Sequence, residues 1–167
     1  MESVSVLFVC MGNICRSPTG EGVFAHYVDR LGHGDSIRID SAGMIGYHAG
    51  EPADGRMRVA SQTRGYRLDS IARQVRRDDV DSFDLIVPMD HENLRDLERL
   101  AGGRREHIRL LGTFLGGDTG SDGNGSAPAV PDPYYGGDAG FEAVLDMIEK
   151  ACPAMLAHCL GLHDARR

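Results

Sequence analysis

Apolar and polar positions follow two rhythms along this chain, and the rhythms change at regular intervals. Val4–Val9 is a short apolar run rich in β-branched residues, the pattern of a buried strand. Val23, Phe24, Tyr27, Val28 and Leu31 then recur at helical spacing, which predicts a helix from about Pro18 to Leu31, closed by Gly32-His33-Gly34. Its start is read from Ser17 as capping residue, Pro18 at the first helical position and Glu21 in the first turn. Ile37–Ser41 alternates as a second strand, and Pro52–Arg64 reads as a mostly polar helix ended by Gly65. Phe83–Val87 is a third apolar strand. Asp90 is placed as N-cap of a helix through Leu100 that shows Leu94, Leu97 and Leu100 on one face. His107–Leu111 is expected to be a fourth strand, and Phe141–Leu160 a closing helix with Pro153 as a kink and a frayed tail over His163–Arg167. Strands alternating with helices predict a doubly wound, four-stranded parallel sheet with helices on both faces. In that architecture ligand binds at the carboxyl ends of the strands.

Gly112–Pro131 breaks the pattern. Residues 116–126 are poor in apolar side chains and rich in Gly and Ser, so a flexible loop is expected at about 116–128 within a single domain spanning 1–167.

Composition narrows the function classes. A hydrophobic share of 41% over 167 residues suits one soluble domain, and a formal net charge of −7 argues against nucleic acid or an anionic membrane as partner. No targeting segment or bilayer-length apolar run is visible. Cys10, Cys15, Cys152 and Cys159 form neither a secreted disulfide framework nor a zinc-site spacing, so no metal and no cofactor is expected, and a reducing cytoplasm is the expected compartment. Cys152 and Cys159, seven apart on the closing helix, read as core thiols.

The candidate chemistry lies just after the first strand. Cys10–Arg16 is a tight loop between a strand end and a helix start, a place where backbone N–H groups and the helix dipole attract an anion. Cys10 at its base is favoured as thiolate there, and Arg16 can grip two phosphate oxygens with its planar fork. Gly12 permits positive φ or close approach of a ligand, and Asn13 tolerates left-handed backbone while its amide bonds the loop internally. A Cys-x5-Arg spacing alone is weak; the strand before it and Ser17-Pro18 after it supply the context.

The run Cys10-Met11-Gly12-Asn13-Ile14-Cys15-Arg16-Ser17-Pro18 resembles the signature of the low-molecular-weight protein tyrosine phosphatase family. The resemblance continues through Asp40-Ser41-Ala42-Gly43, Ala72-Arg73-Gln74, Met89-Asp90 with Asn93-Leu94, and Asp132-Pro133-Tyr134-Tyr135-Gly136, in the family's order over nearly the whole chain. It implies hydrolysis of phosphotyrosine monoesters on protein substrates by a monomer. Cys10 is then the nucleophile, Arg16 and the 11–17 loop (Met11, Gly12, Asn13, Ile14, Cys15, Ser17) hold the phosphate, and Asp132 is general acid and base. It further implies that Ser17 faces the Cys10 sulfur, that Ser41 braces Asn13, and that Tyr47, Tyr134 and Tyr135 wall the cleft around an aryl ring. His48 receives no role. The chain departs from the pattern at Ser70, where many relatives carry a His that braces the loop through Asn13 and Ser41. Ile14 stands where relatives acting on phosphoarginine usually carry Thr. A reversible Cys10–Cys15 disulfide is a second expectation. The alternatives are an arsenate reductase, a phosphoarginine phosphatase and a catalytically impaired phosphotyrosine-binding module. The arsenate reductase would need redox cysteines mid-chain, and none stands between Cys15 and Cys152.

Overall fold

The computed structural model describes residues 2–116, 124–134 and 136–167. Its order is β1 (Val4–Cys10), α1 (Arg16–Arg30), β2 (Ile37–Gly43), α2 (Gly55–Thr63), α3 (Arg77–Ser82), β3 (Leu85–Pro88), α4 (His91–Ala101), a short 3-10 turn at Leu111–Phe114, and α5 (Asp138–Asp164). Among the described residues the sheet has three strands in the order β2-β1-β3, all parallel. β1 is central and buried along its whole length, which is why it reads as an apolar run interrupted only by Ser5.

The pleat sorts β1 into two cores. Val4, Val6, Phe8 and Cys10 face α1 and α5, where Phe8 meets Phe24 edge-on at 6.0 Å. Leu7 and Val9 face the opposite layer with Ile86, Val80, Leu94 and Leu97. Each such side chain contributes about 1.5–3 kcal/mol when fully buried, so the two-sided burial of β1 fixes its register. The chain leaves β1 toward β2 on one side and returns to β3 on the other. The carboxyl end of β1 is therefore the point where the winding reverses, and Cys10 is its last residue.

The structure corrects several expectations. His107–Leu111 does not form a fourth strand: it contributes one parallel bridge, Ile86 to Ile108, closed by Ile86 N–H to the His107 carbonyl at 2.8 Å and Arg109 N–H to the Ile86 carbonyl at 2.9 Å. The chain then turns into the 3-10 segment, because Leu110, Leu111 and Phe114 are drawn inward to be buried. α1 starts at Arg16 with Cys15 as cap residue. Ser17 is not its cap and Glu21 lies beyond the first turn. α2 is shorter than Pro52–Arg64, because the Asp54 carboxylate accepts from the N–H groups of Arg56 and Met57 and starts the helix there. Asp90 caps α4 as expected, accepting from Asn93 N–H at 2.8 Å.

α5 begins before Phe141, is continuous through Pro153, and extends past Leu160. Its end is docked rather than frayed: His163 is buried, and Arg166 donates to the Ser3 carbonyl and pairs with Asp84. Part of Gly112–Pro131 is also firmly packed. The Asn124 side chain accepts from Leu110 N–H at 2.9 Å, Ala127 and Val130 are buried, and a Cβ on Gly112 would lie 1.9 Å from the Pro128 carbonyl oxygen. Most of the expected flexible loop, 117–123, lies outside the described residues.

Candidate active site

Residues 10–16 turn sharply between β1 and α1, and the surrounding chain takes up their carbonyls. Cys10 C=O accepts from Met44 N–H (2.9 Å), Met11 C=O from Ile45 N–H (3.0 Å), Ile14 C=O from Asp54 N–H (2.8 Å), and Cys15 C=O from the Thr19 hydroxyl (2.7 Å). In planar trans peptides the next N–H points opposite to each carbonyl. The amides of Met11, Gly12, Cys15 and Arg16 are thereby turned away from the scaffold, toward the inside of the loop, as an anion nest requires.

Asn13 locks this shape. It has φ of 60°, the single positive φ outside glycine among the described residues. Its side chain holds the strained backbone with three bonds: the amide donates to Ser17 Oγ (2.7 Å) and Ser41 Oγ (3.0 Å), and Oδ1 accepts from Arg73 N–H (3.0 Å). The positive φ falls on Asn13 and not on Gly12, whose missing Cβ leaves room for the His48 ring at 3.0 Å. Gly43, paired with Cys10, has the Met11 carbonyl oxygen and Gly12 carbonyl carbon within 2.9 Å of where its Cβ would be, so the loop rests directly on β2.

Ser17 faces inward instead of capping α1. Its Oγ lies 3.0 Å from Cys10 Sγ. Because Asn13 already donates to this oxygen, the Ser17 hydrogen has two acceptors in reach, Cys10 Sγ at 3.0 Å and the Ala42 carbonyl at 3.4 Å. Cys10 is buried, at 3% exposure, on the floor of a cleft of 310 Å³. Met11, Gly12, Ile14, Cys15, Arg16, Tyr47, Asp132 and Tyr134 line it. Asn13, Ser17 and Ser41 are buried and linked in one network with the sulfur, while Tyr135 lies outside the described residues.

Arg16 is buried and its fork is already aimed. One terminal nitrogen donates to Asp90 Oδ2 (2.6 Å) and to the Val130 carbonyl (3.0 Å); the other lies 3.7 Å from Asp132 Oδ2. Burial works against its charge, but Cys10, Asp90 and Asp132 outweigh that and hold the guanidinium more firmly protonated than a free arginine. Asp132 is partly exposed, and its other oxygen accepts from Tyr134 N–H at 3.0 Å, which sets the carboxyl over the cleft. Arg56 donates to the Tyr134 carbonyl (3.0 Å) and lies over the Tyr134 ring (5.4 Å), steadying that wall. Cys15 differs sharply from a reactive thiol: burial first, then the charges of Asp54, Cys10 and Asp132, push it up to about 12.

Three contributors escaped the sequence reading. Asp90 both caps α4 and anchors Arg16. Ile45 and His48 line the cleft beside Tyr47; the His48 ring meets Tyr47 edge-on at 4.8 Å and pairs with Glu51. The signal was adjacency: Met44 and Ile45 extend the pairing of β2 onto the loop and carry the next residues to its rim.

A parallel α/β sheet that ends its central strand in a cysteine, nested in amides and faced by a buried arginine, defines a class of oxyanion sites bearing a nucleophile. Residues 5–162 match the family model described as low molecular weight phosphotyrosine protein phosphatase, and the chain belongs to that family. It is 44% identical over 154 residues to a low molecular weight protein-tyrosine-phosphatase of Streptomyces coelicolor, covering 91% of each chain. The crystal structure of YfkJ from Bacillus subtilis superposes with a TM-score of 0.85 at 36% identity, over 96% of this chain and 97% of that one. The crystal structure of a drosophila arginine phosphatase gives 0.78 at 30% identity, over 92% and 96%.

Proposed function

We propose that this protein hydrolyses phosphotyrosine monoesters on protein substrates through a cysteinyl-phosphate intermediate. The observation that carries this is the floor-to-mouth arrangement: Cys10 at 3% exposure beneath Tyr47 at 83%, with Arg16 and Asp132 between. In the first step the Cys10 thiolate attacks phosphorus and the P–O bond to the tyrosyl oxygen breaks. Arg16 and the loop amides hold the equatorial oxygens, and protonated Asp132 gives its proton to the departing oxygen. In the second step water attacks phosphorus, Asp132 takes its proton, and the P–S bond breaks to return the thiolate. The Ser17 hydroxyl, aimed at the sulfur, stabilises it as a leaving group.

The depth of the cleft favours an aryl ester, since a phosphoserine is too short to bring phosphorus to the sulfur. Tyr47 and Tyr134 offer flat apolar faces to the ring. Ile14 presents no acceptor to a guanidinium, which favours phosphotyrosine over phosphoarginine. Cys152 and Cys159 are fully buried in α5, so no thiol outside the loop is available to relay electrons to arsenate.

Asp132→Asn is expected to lower kcat by about 10²–10³-fold on a phosphotyrosyl peptide, and by clearly less on an aryl phosphate whose leaving group is already a good one. Steady-state kinetics on the two substrates read this directly. Equal losses on both would remove Asp132 as the acid. A wild-type protein that binds the peptide without turnover would instead be a binding module.

The Cys10–Cys15 disulfide is proposed as a slow protective reaction. Peroxide oxidises the Cys10 thiolate to a sulfenic acid, and the Cys15 sulfur then displaces water from it. With its thiol held protonated, Cys15 competes poorly with a second peroxide. Mass spectrometry after mild peroxide should show the internal disulfide beside over-oxidised Cys10; finding only the over-oxidised form rejects the pairing.

A further inference from the structure

Asp132 and the 11–17 loop come from distant parts of the chain, and the acid step needs them in fixed register. One side chain bridges them: Arg56, in the first turn of α2. On one side of it lies Asp54. The Asp54 N–H donates to the Ile14 carbonyl of the loop (2.8 Å). The Asp54 carboxylate takes the Arg56 fork with both oxygens, Oδ1 from Nε (3.2 Å) and Oδ2 from a terminal nitrogen (3.1 Å). That terminal nitrogen has a second hydrogen, and it donates to the Tyr134 carbonyl (3.0 Å). The Tyr134 N–H in turn donates to Asp132 Oδ1 (3.0 Å), while Asp132 Oδ2 lies toward Arg16. From Ile14 to the Asp132 carboxyl, every step is a hydrogen bond or a stretch of one to three residues.

Arg56 is exposed, and a lone surface ion pair would not fix so long a side chain. Here three contacts act together. The Asp54 contact is two-pronged, and the guanidinium lies over two rings, 5.0 Å from the centre of Phe141 and 5.4 Å from that of Tyr134. Phe141 is buried at the start of α5, so it gives the fork a firm floor. The helix itself does not need the fork. Asp54 Oδ1 also accepts from the main-chain N–H groups of Arg56 (2.9 Å) and Met57 (3.3 Å), bonds that any non-proline residue at position 56 keeps.

We propose that Arg56 is a positioning residue for the acid step: it clamps the Tyr134 carbonyl to the phosphate loop and so holds the Asp132 carboxyl over the departing oxygen. The proposal rests on the phosphatase reading. Arg56 does not line the cleft and moves no proton; the proton still passes from Asp132 to the tyrosyl oxygen as the P–O bond breaks. Its effect reaches the reaction only through Tyr134 and Asp132.

The test is Arg56→Met in the full chain, which keeps an unbranched stem against the rings and removes the donors. On a phosphotyrosyl peptide kcat/KM should fall about tenfold. On an aryl phosphate with a good leaving group it should stay within about twofold, because that ester needs little help from an acid. Affinity for inorganic phosphate should stay within about twofold, and the melting temperature within a few degrees. Combined with Asp132→Asn, the Met substitution should cost the peptide nothing further. Equal losses on both substrates would make Arg56 a prop for the ring wall alone. Losses that add to those of Asp132→Asn would place it outside the acid step, and unchanged kinetics would deny it any part. Each of these overturns the proposal. A second arm does not depend on turnover: chymotrypsin should cut after Tyr134 several-fold faster in the Met variant, because a released segment opens more often. If the wild type turns nothing over, the phosphatase reading fails and the cutting rate still judges the clamp; an unchanged rate removes it.

Discussion

Cys10→Ser is expected to remove at least about 10⁴-fold from turnover of an aryl phosphate and to leave affinity for a phosphotyrosyl peptide within about threefold of wild type. The two halves of this result come from different parts of the structure. In the proposed mechanism turnover depends on one sulfur, which the Ser17 hydroxyl approaches to 3.0 Å. A serine hydroxyl there would need a base to remove its proton, and Ser17, with its own oxygen already bonded by Asn13, is not one. Affinity depends on the inward-facing amides of the loop and on the Arg16 fork, whose supports at Asp90 and Val130 do not touch the sulfur. The exchange is also nearly isosteric at a site packed against Ser17, so the loop has no reason to move. Single-turnover kinetics should show no burst of product, and calorimetry with the peptide should show retained binding. Residual turnover within a hundredfold of wild type would mean that another group attacks phosphorus. Loss of binding together with turnover would mean that the sulfur holds the loop in shape.

Much of this site was readable because it is local. Cys10, Asn13, Arg16 and Ser17 lie within one turn of chain, and the apolar run before them announces a buried central strand. Asp132 was named only through the family resemblance, and the structure places its carboxyl in the cleft, 3.7 Å from Arg16. What escaped depends on long-range placement. Asp90 was rightly read as a helix cap, but one carboxylate oxygen is enough for that, and nothing in the neighbouring residues shows that the other meets Arg16, 74 positions away. Ser17-Pro18 has the form of a cap and first-turn pair. Tertiary contact overrode it, because Asn13 and Cys10 compete for the Ser17 hydroxyl and the helix begins one residue earlier. The fourth strand failed for the opposite reason: Ile108, Leu110 and Leu111 have strand-like side chains, but buried partners pull them into a turn after one bridge. Ile45 and His48 sit in a loop whose sequence carries no periodicity; only its register against Cys10 and Met11 brings them to the cleft.

Arg16→Lys tests the fork itself and should lower kcat/KM by about 10³-fold with the fold intact. Lysine keeps the positive charge that pairs with the partly buried Asp90 carboxylate, so that carboxylate is not left facing an uncharged group. What lysine cannot do is divide its donors in a plane. In the structure one guanidinium nitrogen serves Asp90 and the Val130 carbonyl while the other, 3.7 Å from Asp132, remains directed into the cleft. A single ammonium drawn to Asp90 has nothing left at that position, and the equatorial phosphate oxygens lose a paired donor that binds most strongly as charge builds in the transition state. The loss should therefore fall more on kcat than on KM, and thermal unfolding should shift by no more than a few degrees. Asp90→Asn gives the matching result from the other side: the fork keeps its shape but loses its charged anchor, so activity falls by about tenfold, well short of the lysine variant. Kinetics and melting curves for both proteins decide the point. A lysine variant within tenfold of wild type would show that charge alone serves the phosphate, and that the planar geometry of Arg16 is a matter of packing.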